Sequence, residues 1–272
     1  IAVAVAFGAS GILIVAVWIA LVTTGSLAWM PWLGRRLGQS FPLPYSLPLS
    51  GAAMFVGAVA INKMAIGGFR PIPLLQDGPT RRTAIGGYTL AVSWSPEFCR
   101  GKAAYDPDNY QCNGRIGRFG FVLHGLWPES GSGKSPQWCA MTPRPTLQDL
   151  SANLCMTPVP WLLEHEWAKH GSCMAASPAA YFKVSSILWQ SLHLPDADRL
   201  SKQPALTAGD LRKAFAAANP GIPVKAIGLN LGNGGWLREI HLCYSAKFLP
   251  TACDKRSFGP KDDVPLKIWR GL

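Results

Sequence analysis

Charge is the first thing missing from this chain. No charged residue occurs from Ile1 to Gly34, and the first 70 positions hold four basic side chains (Arg35, Arg36, Lys63 and Arg70) and no acidic one. Such a stretch cannot supply the polar face that a helix on a soluble core requires, which excludes residues 1–70 from a globular domain. Cysteine is missing there too: all seven (Cys99, Cys112, Cys139, Cys155, Cys173, Cys243 and Cys253) follow residue 80. No two of them form a C-x-x-C pair, which excludes a zinc ribbon and a thioredoxin-type redox site. The chain also has no internal repeat and no long low-complexity tract.

What the N-terminal stretch does have is apolar length. "IAVAVAFGASGILIVAVWIALV" runs for 22 uncharged residues, enough for a helix to cross a hydrocarbon core of about 30 Å. Arg35 and Arg36 follow, then a proline-punctuated stretch, then a second apolar run, "GAAMFVGAVA", whose Ala58-Val59-Ala60 suits signal cleavage. Two readings stand: a two-span anchor that keeps the arginine pair in the cytoplasm, or a cleaved signal that starts near Met30. In both, the partner of residues 1–70 is the membrane or the export machinery, and the chain beyond is exported, to a periplasm or outside the cell. The scattered cysteines agree, since disulfides persist in oxidising compartments, and an odd count leaves one thiol unpaired.

Residues 71–272 carry 22 Lys and Arg against 15 acids, a formal charge of +7. That excess favours anionic partners such as nucleic acid without naming one. Residues 71–86, which run into the glycine pair of "GPTRRTAIGG", read as a linker, and residues 87–272 as one domain. "YTLAVSWS" alternates as a half-buried strand, "FGFVLHGLW" is a second strand ended by Pro128, and "PESGSGKSP" is a loop. "VPWLLEHEWAKHG" has Pro160 near its start and Gly171 after it, the punctuation of a helix. Ser177 caps a second helix; Thr207 with Asp210 caps a third, which Asn219-Pro220-Gly221 stops. "IPVKAIGLNL" and "WLREIHLCYS" read as late strands joined as a hairpin through "GNGG". Helices and strands do not alternate regularly, so the fold class is α+β: a mainly antiparallel central sheet flanked by helices and stapled by disulfides.

Two short segments carry the chemistry. In "EHEWAKHG", residues 164–171, His165 and His170 are five apart. At roughly 100° per residue they diverge by about 140°, so the helix is not that of a zinc protease, whose histidines stand four apart on one face. Glu166, Lys169 and His170 do share a face and should converge. A solvated Glu and Lys pair would be the bland account. The second segment, "FVLHGLWPES", places His124 in an otherwise apolar strand, followed by Gly125, which lets the backbone turn clear of a cleft. Two histidines from distant parts of the chain, one beside an acid and a base, point to paired acid and base chemistry.

"HGLWP" (124–128) with "HEWAKHG" (165–171) resembles the two signature segments of the ribonuclease T2 family, the secreted acid ribonucleases. "YTLAVSWSPEFC" is similar to the family's first strand and "LREIHLCYS" to a late one, so the resemblance covers about residues 87–255. It implies endonucleolytic cleavage of single-stranded RNA without metal or cofactor, by a monomeric catalytic domain. The 2′-hydroxyl attacks its own phosphodiester, leaving a 2′,3′-cyclic phosphate that is later hydrolysed to a 3′-phosphate. Such chemistry needs one neutral and one cationic imidazole, and an ordinary pKa of about 6.5 serves both. The resemblance makes His170 the base and His124 the acid, although the two could exchange roles within the same chemistry. It gives Lys169 the phosphoryl charge, Glu166 an orienting or proton-exchanging role, and His165 a phosphate contact. Trp127 offers a stacking face for a base or packs in the core, and Glu129 is a candidate base contact. His193 and His241 match neither segment and are left as structural or surface residues. The family's disulfide pattern pairs Cys99 with Cys112 and Cys243 with Cys253, and Cys173 with Cys139 or Cys155. The rival from another class is an exported RNA-binding or cytotoxic protein whose effect needs no catalysis.

Overall fold

The computed structural model describes residues 74–100, 102, 109–115, 117–131 and 133–271. The apolar segment expected to direct export, residues 1–70, lies outside them. No helix among the described residues is long and apolar enough to cross a membrane.

Four strands, β1 (Ile85–Trp94), β2 (Phe121–Ser130), β3 (Ile227–Leu231) and β4 (Leu237–Ser245), form one antiparallel sheet in the order β2-β1-β4-β3. Among the described residues there are seven helices: α1 (Ser95–Cys99), α2 (Leu147–Asn153), α3 (Pro160–Lys169), α4 (Pro178–Gln190), α5 (Ala197–Ser201), α6 (Ala208–Ala218) and α7 (Lys255–Phe258). The expected α+β class is the observed one. Strand periodicity decides which face is dry. Leu90, Val92 and Trp94 of β1 join Leu229 of β3 and Ile240 and Leu242 of β4 in one buried cluster. Leu163 and Trp167 of α3, Tyr181 of α4 and Phe215 of α6 complete it. The intervening Thr89 and Ser93 turn to the opposite, polar face, where each donates to a glutamate, Glu129 and Glu239.

In β2 that period is broken. Ala91 pairs with Gly125 and Val92 with Leu123, so His124 is an extra residue with no partner opposite, a β-bulge. Leu123 and Leu126, three residues apart, therefore both reach the core cluster. His124 and Trp127 are left together on the polar face, ring against ring. The strand also runs past the expected stop: Pro128 pairs with Tyr88 and the pairing continues to Ser130. A proline is tolerated because β2 is the sheet's edge and one side of it makes no ladder. That edge is closed by other means. Leu123 donates its N–H to the Met156 carbonyl and accepts from the Thr157 hydroxyl, while the Tyr181 hydroxyl bonds both backbone groups of Leu126.

The caps read from sequence hold: Ser177 accepts from the N–H of Ala180, and Thr207 with Asp210 forms a reciprocal capping box. Thr146 and Asp149 form the same box at the start of α2, an element the sequence reading did not assign. The first late strand starts later than expected, because Val224–Ala226 after Pro223 forms a 3₁₀ turn. Its hairpin to β4 turns on Gly234 and Gly235, at φ of 74° and 83°.

Disulfides join Cys99 to Cys112, Cys139 to Cys173 and Cys243 to Cys253, leaving Cys155 as the exposed free thiol. The segment read as a linker is tied down from its described start. Arg81 and Gln137 exchange backbone hydrogen bonds of 2.9 and 3.1 Å, and Thr83 donates to the Lys134 carbonyl. It lies as a strap along the loop that carries Trp138 and Cys139.

Candidate active site

The bulge of β2 and the C-terminal half of α3 bring the candidate residues together. His124 sits between two carboxylates: its Nδ1 lies 2.6 Å from Oε1 of Glu239 on β4, and its Nε2 3.4 Å from Oε1 of Glu166 on α3. Burial works against the imidazolium, but Glu166 and then Glu239 outweigh it and push the His124 pKa up to about 10. Glu166 is itself buried, which alone would raise its pKa; the facing His124, then His170 and His165, hold it below the ordinary carboxylate value.

The Trp127 indole N–H donates to Glu166 Oε2 at 2.7 Å. Gly125 lies under that contact. A Cβ there would stand 2.0 Å from Glu166 Oε2 and 2.9 Å from Trp127 Nε1. The glycine is thus required for close approach rather than for the turning freedom expected of it. Trp127 is half-buried on the polar face, outside the core cluster, with His124, His170 and His241 around its ring at centroid distances of 5.2, 5.5 and 5.5 Å.

His170 caps the C-terminus of α3, its N–H bonded to the Glu166 carbonyl. Its Nδ1 is buried and has no hydrogen-bond partner among the described residues. Burial pushes the His170 pKa down to about 4; Glu166 opposes, while Lys169, His165 and His124 add to the depression.

Lys169 lies close enough to His170 to oppose its charge, but its own hydrogen bond is made elsewhere. Four residues after His165, it belongs equally to that residue's row and follows it. Its Nζ donates to Oδ2 of Asp77 in the strap at 2.7 Å, and His165 Nε2 stands 4.0 Å from the same oxygen. The Trp138 indole N–H donates to Asp77 Oδ1 at 2.9 Å and meets the His165 ring edge-to-face at 5.3 Å. Burial lowers the His165 pKa, with Glu166 and Asp77 opposing. The Cys139–Cys173 bridge ties this loop to the end of α3.

Glu129 is directed elsewhere: its oxygens accept from Thr89 and Ser135, and Arg256 approaches at 3.8 Å. Sequence reasoning missed Glu239 and misplaced His241. Glu239 accepts from Ser93 and Asn230 at 3.1 Å each and meets His241 Nε2 at 3.0 Å as well as His124. The polar "E-x-H" step inside the apolar run "LREIHLCYS" was the available signal, since both side chains project from a strand onto the polar face. His193, by contrast, is exposed, and its backbone is clasped by the Asn219 amide.

The chain is 33% identical over 162 residues to a ribonuclease of Aeromonas hydrophila, covering 57% of this chain and 70% of that protein. It is 35% identical over 131 residues to a probable ribonuclease of Haemophilus influenzae, covering 44% of this chain but only 47% of that protein's length. Ribonuclease I of Escherichia coli is 28% identical over 217 residues, with 64% of this chain and 80% of that one covered. Among solved structures, trichomaglin, described as an S-like ribonuclease, superposes with a TM-score of 0.52 at 21% identity over 63% of this chain and 92% of its own, a likeness of fold. The model of the Ribonuclease T2 family matches residues 85–253. That span runs from the first residue of β1 to the last disulfide cysteine and takes in the bulge, α3 and β4: this chain belongs to the Ribonuclease T2 family.

Proposed function

We propose that the protein is an exported endoribonuclease that cleaves single-stranded RNA by internal transphosphorylation without a metal ion. The observation that carries this reading is the pair of imidazoles against one indole ring, one held cationic between two carboxylates and the other held neutral by burial. Oppositely perturbed titratable groups at one site are the pattern of an assigned acid and base. Neutral His170 takes the 2′-hydroxyl proton while the 2′-oxygen forms a bond to phosphorus. The bond from phosphorus to the 5′-oxygen breaks, and His124 Nε2 hands its proton to that oxygen. Charge developing on the phosphoryl oxygens falls to Lys169 and His165. Glu166, bonded by Trp127 and facing His124, orients the acid. Water then enters in the reverse sense and opens the cyclic phosphate to a 3′-phosphate. Three disulfides suit an oxidising destination.

Product analysis on a short RNA tests the reading. A transient 2′,3′-cyclic phosphate end is expected, with activity surviving EDTA and no cleavage of DNA, which lacks the attacking hydroxyl. Products with a 5′-phosphate, or activity abolished by chelator and restored by zinc, would overturn it.

A further inference from the structure

We propose that Glu239 is the positioning residue of the acid: it takes the Nδ1–H of His124, sets that ring with Nε2 toward the cleft, and keeps the imidazole charged until the leaving oxygen needs its proton. This rests on the transphosphorylation reading above. The geometry carries it. His124 is the extra residue of a bulge, so no partner strand fixes its backbone register, and its ring is held by its side-chain bonds. The shorter of these, 2.6 Å, is to Glu239; the contact to Glu166 is looser at 3.4 Å.

Glu239 is itself immobilised from three strands. Ser93 lies opposite it on β1 and Asn230 opposite it on β3, each donating to it at 3.1 Å. His241, two residues on along β4, closes its remaining side at 3.0 Å. A carboxylate with four partners cannot swing away when RNA enters, whereas Glu166 also faces His170 and His165 on its own helix. The charged and titratable groups acting on His124 are Glu239 from β4, with His241 sharing that carboxylate, and Glu166, His165 and His170 from α3 and its C-terminal cap. Only the two glutamates favour the cation, and the depressed pKa of Glu239 agrees with its staying ionised.

The test is Glu239→Gln, which keeps size and hydrogen bonding but removes the charge. The alkaline limb of kcat/KM should move down by roughly one to three pH units, on a plateau lowered by the looser hold on the ring. Loss of a merely structural residue would lower the whole profile without moving the limb, and that result would overturn the proposal. Direct titration of the His124 ring by NMR, assigned through His124→Asn, needs no RNA and no mutant at position 239. A ring in the unaltered protein that titrates near its ordinary value would also overturn it. Failure of the parent to release a cyclic phosphate would sink the functional reading while leaving this titration interpretable.

An independent observation carries a second inference: we infer that Asp77 is an internal occupant of the phosphate position, which RNA must displace. Asp77 lies in the strap, outside residues 85–253 that match the family, yet it takes the Lys169 ammonium, the Trp138 indole N–H and the flank of His165. A half-exposed carboxylate thus neutralises the cation that the reaction assigns to the scissile phosphate. In the full chain, Asp77→Asn should raise kcat/KM by roughly two- to fivefold, the scale of one exposed ion pair, and tighten inhibition by inorganic phosphate by a similar factor. Equal or lower activity with unchanged phosphate inhibition would overturn the inference and make Asp77 a support for Lys169. Tighter phosphate binding, measured by calorimetry, stands apart from whether RNA is cleaved.

Discussion

His124 and His170 are the same side chain set in two surroundings. The bulge of β2 gives His124 a carboxylate on each ring nitrogen, and its pKa is pushed up to about 10. The end of α3 gives His170 a buried Nδ1 without a partner and a neighbouring ammonium, and its pKa falls to about 4. Glu166 favours the cation in both; what separates them is that Glu166 also hydrogen-bonds His124, that Glu239 adds a second carboxylate there, and that Lys169, His165 and His124 oppose the charge on His170. The lesson is that acid and base are distinguished here by the placement of carboxylates and cations around each ring, not by residue type.

The comparison breaks most severely if either imidazole is removed. His124→Ala and His170→Ala are each expected to lower kcat by about 10² to 10⁴-fold, measured on a dinucleoside phosphate. A better leaving group at the 5′-oxygen should rescue only the first. Rescue of both would show that the two sites are interchangeable. Gly125→Ala comes next. Its Cβ would drive Glu166 from beneath His124, and displacement of about 1 Å costs roughly 10²-fold; the crystal structure of the variant should show the carboxylate moved. Trp127→Phe keeps the ring among the imidazoles but removes its bond to Glu166, about 1.5 kcal/mol and so roughly tenfold in kcat/KM.

The smallest effect is expected in the unaltered protein between the two limbs. Below about pH 4 His170 gains a proton and cannot act as base; above about pH 10 His124 loses one and cannot act as acid. The kcat/KM of the free enzyme should rise through the first value, stay nearly flat, and fall through the second. Two limbs crowded around 6.5 would erase the distinction between the sites.

Much of this site was legible in the chain, because "HGLWP" and "HEWAKHG" are contiguous and their helix and strand obey local rules. His124, Glu166 and His170 follow from them, as do the caps at Ser177 and Thr207. The bulge was not legible: Leu123 and Leu126 look out of phase for one strand until His124 is counted as an insertion. Pro128 was read as a stop because edge and central strands look alike before pairing is known. The partner of Lys169 was not legible either, because a helical wheel orders positions and the carboxylate it bonds, Asp77, is 92 residues distant.

Local pattern alone determined which groups this protein could use: two imidazoles, a glutamate and a lysine on elements of recognisable period, with cysteines suited to an oxidising compartment. Tertiary structure decided which carboxylate meets which imidazole. Glu239 is 115 residues from His124, and only the pairing of β4 with β1 brings it within 2.6 Å. Protonation depends on burial and on charges within a few ångströms, and neither exists until the chain has closed on itself.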